Sequence, residues 1–259
     1  MRPCLSPNAT IFPMRIALIS DIHGNLPALE AVTRDMRTRG VDTVINLGDS
    51  LSGPLLPLET AQFLMPQDWT HLAGNHERQL LSLDPNQMGP SDAYAHAQLG
   101  SKELEWMASL TPSLRFSPEV FLCHGTPKSD IEYFLETVEP AQCRAATALE
   151  ITTRLGIVDA ELIACGHTHI ARSVRSAGGQ LIVNPGSVGL QAYDDTRPFP
   201  HVIETGSPDA RYAIVERTAN TWISHLITVP YKHQAMAQLA ATRQRPDWAC
   251  ALSTGYLVQ

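Results

Sequence analysis

Five short apolar runs in this chain each lead into side chains that can bind a metal ion: IALIS, VINLG, WTHLAG, VFLC and ELIACG. Short β-branched runs separated by helical patterns are typical of buried strands in a largely parallel sheet. In such sheets, ligands and reactive groups collect just beyond the carboxyl ends of the strands. We therefore expect the polar side chains after these runs to converge. They are Asp21, His23, Asp49, Asn75, His76, His124, His167 and His169.

Without His76, this set holds two carboxylates, one amide and four imidazoles, all with oxygen or nitrogen lone pairs. One metal ion with four to six ligands would leave some of the seven unused. Two ions that share a bridging aspartate would use them all and keep positions for water or substrate. The economical hypothesis is a dinuclear hydrolase, and the mixed nitrogen and oxygen set accepts Mn, Fe, Zn, Co or Ni.

The motifs DIHGN, GDS, GNHE, CHG and GHTH follow one another from Asp21 to His169. Their order and spacing resemble the calcineurin-like metallophosphoesterase superfamily, over roughly Met14 to Gly189. The stretches GDSLSGPLLP, HGTP and NPGSVG are similar to the bacterial branch of small phosphodiesterases and phosphatases that begin with DIHGN. The resemblance implies a metal-dependent phosphoester hydrolase.

The resemblance also implies a role for each candidate ligand, with Asp49 as the carboxylate that bridges two divalent transition-metal ions. The implied ligands of the first ion are Asp21, His23, Asp49 and His169. Those of the second ion are Asp49, Asn75, His124 and His167. His76 is left as the candidate catalytic residue. The expected reaction is attack on phosphorus by a hydroxide held between the metals, with His76 assisting the leaving group.

The chain departs from the protein phosphatases of this superfamily, which typically have GDxVDRG and RGNHE. Ser52 and Gly53 stand where those proteins have aspartate and arginine, and Ala73 replaces the second arginine. Two phosphate-binding arginines and the acid that orients the histidine are missing from these positions, although Arg78 or Arg172 could compensate. A monoanionic phosphodiester is therefore the predicted substrate. A dinucleoside polyphosphate and a phosphomonoester are the alternatives.

Other function classes fit the sequence less well. The same fold can serve as a non-catalytic scaffold, as in the retromer subunit that resembles this superfamily. That use goes with a degraded metal site, whereas all seven ligand positions and His76 are intact in this chain. Amidohydrolases usually have their HxH pair near the start of a βα barrel, and β-lactamase-type enzymes need HxHxDH. Neither order occurs in this chain.

Composition limits the partners and the compartment. The 259 residues suit one α/β domain over residues 14–259, preceded by a flexible extension at residues 1–13. A net charge of -7 argues against broad binding to nucleic acid or to anionic membranes, which leaves a small phosphate ester as the expected partner. The five cysteines form no disulfide framework, so we expect a cytoplasmic protein; the sequence does not indicate its oligomeric state.

Periodicity predicts the elements around the motifs. Helices are expected at Leu26 to Thr38, at Leu58 to Met65, from an N-cap at Ser91 to Leu110 as one or two helices, and around Pro140 to Leu155. The segments ARSVRS with QLIVN and RYAIVER with WISHLITV read as two hairpins, which suggests a second, more antiparallel sheet. The fold expected from the resemblance is a four-layer α/β/β/α sandwich of two mixed sheets flanked by helices.

Overall fold

The computed structural model describes residues 14–140, 142–219 and 221–257. The flexible extension expected at residues 1–13 lies outside the described residues. The strands are β1 (Arg15–Ile19), β2 (Thr43–Asn46), β3 (Thr70–His71), β4 (Ser113–Ser117), β5 (Val120–Cys123), β6 (Glu136–Glu139), β7 (Gln142–Ala145), β8 (Leu162–Ala164), β9 (Arg172–Arg175), β10 (Leu181–Asn184), β11 (Ala192–Asp195), β12 (His201–Glu204), β13 (Ala210–Arg217) and β14 (Trp222–Val229). The α-helices are α1 (Leu26–Thr38), α2 (Pro57–Leu64), α3 (Asn75–Ser82), α4 (Pro90–Gln98), α5 (Ser101–Ala108), α6 (Ala148–Leu155), α7 (His233–Thr242) and α8 (Pro246–Thr254).

Two five-stranded mixed sheets form the centre of the fold. The first has the order β14-β13-β1-β2-β3, with β1, β2 and β3 parallel. The second has the order β4-β5-β8-β10-β9, with β5, β8 and β10 parallel. The predicted two-sheet sandwich is thus confirmed, but the motif-bearing strands divide between the two sheets and do not share one.

The apolar runs are continuous because both faces of these strands are buried. In β1, Ile16 and Leu18 contribute to the core shared with strands of the second sheet. Ala17 and Ile19, which point to the opposite face, belong to the core formed with α1. Helix α6 covers the other side of the second sheet through Ile151 and its neighbours. Burial on two faces explains why these strands show no alternation of polar and apolar residues.

Several predictions about elements need correction. The two predicted hairpins exist as β9–β10 and β13–β14. The hairpin β13–β14 belongs to the first sheet and β9–β10 to the second, so neither sheet is the more antiparallel one. Helix α4 begins at Pro90 after an N-cap at Gly89, not at Ser91, in keeping with the preference of proline for the first helical position. The helix expected from Pro140 starts only at Ala148, because the β6–β7 hairpin continues to Ala145.

The predicted strand WTHLAG is also shorter than expected. Only Thr70 and His71 pair with β2, as the two residues of β3. Leu72 continues with a single parallel bridge to Thr111. Within the described residues, no helix is both long and apolar enough to cross a membrane.

Candidate metal centre

Two groups of potential metal ligands lie at the carboxyl ends of the parallel strands. In each group, one ligand atom per residue lies within 4.8 Å of the others. The first group is Asp21, His23 and His169. The second group is Asp49, His124 and His167. The loops after β1 and β2 of the first sheet and after β5 and β8 of the second supply these side chains, so each group draws on both sheets.

The two remaining predicted site residues adjoin these groups. Asn75 and His76 are the first two residues of α3 and line the same cavity as His23, Asp49 and His167. All eight predicted site residues therefore come together. The geometric grouping assigns Asp49 to the second group; its bridging of two ions stays a prediction.

Most of these residues have an unusual backbone. Asp21, His23 and Asp49 have φ angles of 56°, 51° and 55°, and His167 and His169 have 70° and 58°. Residues other than glycine seldom adopt this left-handed region, and each instance costs on the order of 1–3 kcal/mol. Among the described non-glycine residues, only one position outside this set, Gln244, shares the feature. Such clustered strain is typical of a functional site.

Backbone carbonyl oxygens orient three of the imidazoles. His23 Nδ1 donates to Ser52 O at 2.8 Å, and His124 Nδ1 donates to Leu47 O at 2.8 Å. His169 Nδ1 donates to Leu190 O at 2.7 Å. Because a carbonyl only accepts, each Nδ1 carries a hydrogen, and the Nε2 of the neutral imidazole has the lone pair. The Nε2 atoms of His23 and His169 lie 3.2 Å apart. Two facing lone pairs repel each other, and a shared cation would remove that repulsion.

Shifted pKa values put several of these groups in the protonation state that binds a cation. Burial, reinforced by a neighbouring imidazole, lowers the pKa of His23 and of His167 to about 4, so both are neutral near pH 7. Neutral imidazole is the form that binds metal. Burial alone would raise the pKa of Asp21, but His169 and His124 outweigh it and lower that pKa to about 2.

His124 and Asp49 form a tightly coupled pair, with 3.0 Å between His124 Nε2 and Asp49 Oδ2. Burial disfavours the imidazolium, but Asp49 and Asp21 outweigh burial and raise the pKa of His124 to about 10. Burial likewise opposes ionisation of Asp49, whose pKa is nevertheless held well below its usual range by His124 and other imidazoles. The protonated His124 stabilises the negative charge of Asp49, as a bound cation would. A metal ion that binds His124 must displace this proton.

Unpaired buried atoms fit a metal ion as well. Among the described residues, Asp21 Oδ1 and Asn75 Oδ1 are buried and have no hydrogen-bond partner. Buried polar atoms usually find a partner, so orphaned atoms in one place call for a ligand. Carboxylate, amide and imidazole donors suit a divalent transition-metal ion. The residues present therefore fit the predicted cofactor.

Glu77 holds the backbone of two site segments in place. Its carboxylate is fully buried and accepts the backbone N–H groups of Asp49, Ser50 and Gly74, each at 2.8 Å. Burial and the nearby Asp49 raise the pKa of Glu77, against the lowering effect of these hydrogen bonds. Glu77 thus ties the loop after β2 to the start of α3 and does not line the cavity.

His76 has an acidic partner that sequence analysis missed. Its Nδ1 lies 2.7 Å from Oδ1 of Asp92, a buried residue of α4. Burial would lower the pKa of His76, but Asp49 and Asp92 outweigh it and raise the pKa to about 9. The conclusion that the orienting acid is missing was therefore wrong, because a helix supplies it in place of the loop at Ser52. The signal was only a lone aspartate in the first turn of a predicted helix.

The cavity beside the two groups has a volume of about 330 Å³. Arg245 and Trp248, at the start of α8, line it and were not singled out from the sequence. The two arginines that were named as substitutes do not line it. Arg78 instead pairs with Asp130 at 2.6 Å, and Arg172 pairs with Glu136 at 2.7 Å.

The family model for the calcineurin-like phosphoesterase superfamily domain matches residues 14–205, a region that contains every predicted ligand. The chain belongs to this superfamily. The protein is accordingly a metal-dependent phosphoester hydrolase, with two candidate metal-binding groups of histidine and aspartate.

Relatives extend the likeness beyond the matched region. An uncharacterized protein of Methanocaldococcus jannaschii, MJ0912, is 25% identical over 248 residues, which cover 90% of this chain and 94% of the relative. The crystal structure of a metallophosphoesterase from Sphaerobacter thermophilus has a TM-score of 0.71 and 26% identity, and covers 94% of this chain and 100% of its own. The hypothetical protein PH1004 from Pyrococcus horikoshii has a TM-score of 0.70 and 17% identity, with 94% and 99% covered, and shares the fold.

Proposed function

We propose that this phosphoesterase hydrolyses a phosphodiester, with two metal ions held by the seven predicted ligands and with His76 as the group that assists the leaving alcohol. The observation that carries the diester assignment is the charge of the cavity. Apart from the ligands and His76, its charged lining residues are Asp194, Asp195, Arg245 and Asp247.

Three carboxylates against one guanidinium disfavour a dianion. The missing arginines at Gly53 and Ala73 act in the same direction, because each charge-assisted hydrogen bond contributes about 1.5–3 kcal/mol. A monoester at neutral pH carries more charge than a diester and would lose more from their absence. The positive charge available to substrate then comes mainly from the bound ions.

His76 is built to deliver a proton. Its Nδ1 is held by Asp92, so its Nε2 is the atom available to substrate. Its ring lies 5.4 Å, centroid to centroid, from that of His23, which puts it beside the first ligand group. The paired carboxylate stabilises the protonated imidazole, and that imidazolium can protonate a departing alkoxide.

The ligand groups would hold divalent ions such as manganese, iron, zinc, cobalt or nickel. When bound, these ions would stabilise charge on the phosphoryl oxygens and activate a water molecule. Metal analysis should find two ions per chain after reconstitution of metal-free protein. Asp49→Ala should reduce the binding of both ions if Asp49 is the bridging ligand, whereas loss of only one ion would overturn the bridging role.

The substrate assignment is tested by comparing bis-nitrophenyl phosphate with nitrophenyl phosphate at equal metal loading and at several pH values. We expect a higher kcat/KM for the diester. A monoester preference at every pH would overturn the assignment. Dinucleoside polyphosphates belong in the same panel, because the sequence leaves them as an alternative.

A further inference from the structure

The start of helix α8 forms one wall of the cavity, and both α7 and α8 lie after the region matched by the family. Their position is fixed by an apolar core that joins Trp248 and neighbouring residues to Leu55. Arg243, at the end of α7, also donates to the carbonyl oxygen of Pro54 at 2.8 Å and to that of Leu55. The helical pair is therefore anchored to the loop that carries Asp49.

Trp248 fills the space next to Gly53. A Cβ atom added to Gly53 would lie 2.6 Å from Trp248 Cη2 and 2.7 Å from the carbonyl oxygen of His23. The indole ring is 6.0 Å from the His23 ring, centroid to centroid. Thus α8 occupies the volume into which a side chain at position 53 would extend, and in protein phosphatases this side chain is an arginine.

Arg245 brings a guanidinium to the same place. Its central carbon lies 5.6 Å from the centroid of the Trp248 ring. Nε and Nη2 donate to Asp247, and Nη1 donates to Ser91 Oγ at 2.9 Å. Arginine has five N–H donors, so one hydrogen on each terminal nitrogen is left without an acceptor among the described residues.

We propose that Arg245 binds an anionic phosphoryl oxygen of the substrate and so replaces the arginine absent at Gly53. This inference rests on the proposed function. Trp248 holds the guanidinium through its ring face, and Ser91 fixes it from α4. Asp247 offsets part of its charge. An arginine paired in this way favours a single negative charge over two, which matches a phosphodiester.

The first test compares Arg245→Gln and Arg245→Lys in metal-loaded protein, with bis-nitrophenyl phosphate as substrate. Arg245→Gln should raise KM on the order of tenfold, the scale of one lost charge-assisted hydrogen bond. Arg245→Lys should recover only part of this, because lysine keeps the charge but not the fork of donors. The matched control is Arg115→Gln, since Arg115 pairs with Asp159 at 2.6 Å outside the cavity. An unchanged KM in Arg245→Gln would overturn the proposal.

A second variant should act in the opposite direction. Asp247→Asn removes the carboxylate that offsets Arg245, so binding of anions should become tighter and KM should fall. If the fall in KM came only from removing a lining carboxylate, Asp247→Asn would lower KM by the same factor in the Arg245→Gln background, whereas we expect a smaller fall there. A KM that rises in Asp247→Asn would contradict the proposal.

Titration of metal-loaded protein with inorganic phosphate, followed by calorimetry, separates this inference from the proposed function. Arg245→Gln should weaken phosphate binding on the order of tenfold relative to wild type and to Arg115→Gln. If no diester is hydrolysed while phosphate binding follows this order, the proposed function fails and the role of Arg245 stands. Equal phosphate affinity in Arg245→Gln and wild type, or no binding to wild type, would overturn that role.

Discussion

Asp92 lies 16 residues from His76 in the chain, but its carboxylate lies 2.7 Å from the imidazole. In the protein phosphatases of this superfamily, the corresponding acid belongs to the GDxVDRG motif. Here Ser52 occupies that position, and the acid comes from α4. The same pairing thus arises from a different element, and this makes the roles of both residues separately testable.

His76→Ala should retain both metal ions and lower kcat on the order of a hundredfold, the usual scale for loss of a positioned acid. The loss should be smaller for substrates with good leaving groups such as nitrophenolate, because these need little protonation. Steady-state rates with a series of alkyl and aryl esters measure this. An equal loss across the series would identify His76 as an electrostatic group and not as an acid.

Asp92→Asn should leave metal content unchanged and lower kcat by about ten- to a hundredfold, because an amide no longer stabilises the protonated imidazole. The rate loss should again grow with the basicity of the leaving alcohol. The matched control is Asp84→Asn, since the Asp84 side chain accepts hydrogen bonds only from Asn86 among the described residues and lies at an exposed turn. Similar losses in both variants would argue against an orienting role for Asp92.

His71 offers a pH prediction away from the ligand groups. Burial lowers its pKa from 6.5 to about 4, so the folded state disfavours its protonation. The resulting stability is complete above pH 6.5 and is lost as pH falls towards 4, by on the order of 3 kcal/mol. Urea unfolding of metal-free His71→Gln should show less loss over this range than wild type. His96→Gln, at a helix end, should follow wild type.

At the scale of elements, the helix starts and the loops after strands set the geometry of the site. Gly74 is the N-cap of α3, and a Cβ atom there would lie 2.2 Å from Asp49 Oδ1. Gly89 is the N-cap of α4, and a Cβ atom there meets nothing within 4 Å. Two glycines in the same structural role therefore differ in their contact with the ligands.

Gly74→Ala should displace Asp49, reduce bound metal and destabilise the protein by about 1–3 kcal/mol, the usual range for overpacking. Gly89→Ala should bind metal as wild type does. Metal analysis of the purified proteins together with urea unfolding measures both effects. Full metal occupancy in Gly74→Ala would show that the loop yields without moving Asp49.

Of the elements next to the motifs, the sequence predicted helix α1 well and overestimated the length of the strand before Asn75. Helix α1 begins and ends at the predicted residues, Leu26 and Thr38, because its apolar positions and its end signals agree. The predicted ligands lie together because strand ends locate them whichever sheet carries the strand. Sheet membership could not be predicted, because a strand buried on both faces, such as β1, carries no sign of its neighbours.

The missed residues depend on contacts between elements distant in the chain. Arg245 reaches Ser91 across 154 residues, and no local pattern reports such a contact. The dipeptide Arg245–Pro246 did carry a start signal for α8, since proline favours the first helical turn. That signal predicts a helix but not the cavity that the helix closes.

At the scale of the whole molecule, each ligand group contains residues from both sheets. Asp21 and His23 follow a strand of the first sheet, whereas His169 follows a strand of the second. A bound ion would therefore connect the two halves of the sandwich. Its binding free energy adds to folding stability, because the unfolded chain has no preformed site.

Saturating metal should accordingly raise Tm, and a hundredfold excess of free ion over its Kd corresponds to about 2.7 kcal/mol. Calorimetric scans with added metal and with a chelator measure the difference. The control is His225→Ala, because His225 is exposed and lies on β14, outside both ligand groups; its Tm should respond as wild type does. A Tm independent of metal would mean that the ions do not join the two sheets.

The left-handed backbone at the ligands also limits how this site could change in evolution. At Asp21, His23, Asp49, His167 and His169, a substitution must satisfy the backbone as well as the chemistry. Glycine, asparagine and aspartate tolerate that conformation best. A descendant freed from selection for hydrolysis would gain stability by accepting those residues, especially glycine, at the ligand positions. Such a protein would have lost its activity, and its sequence would show glycines and asparagines at the ligand positions of otherwise intact motifs.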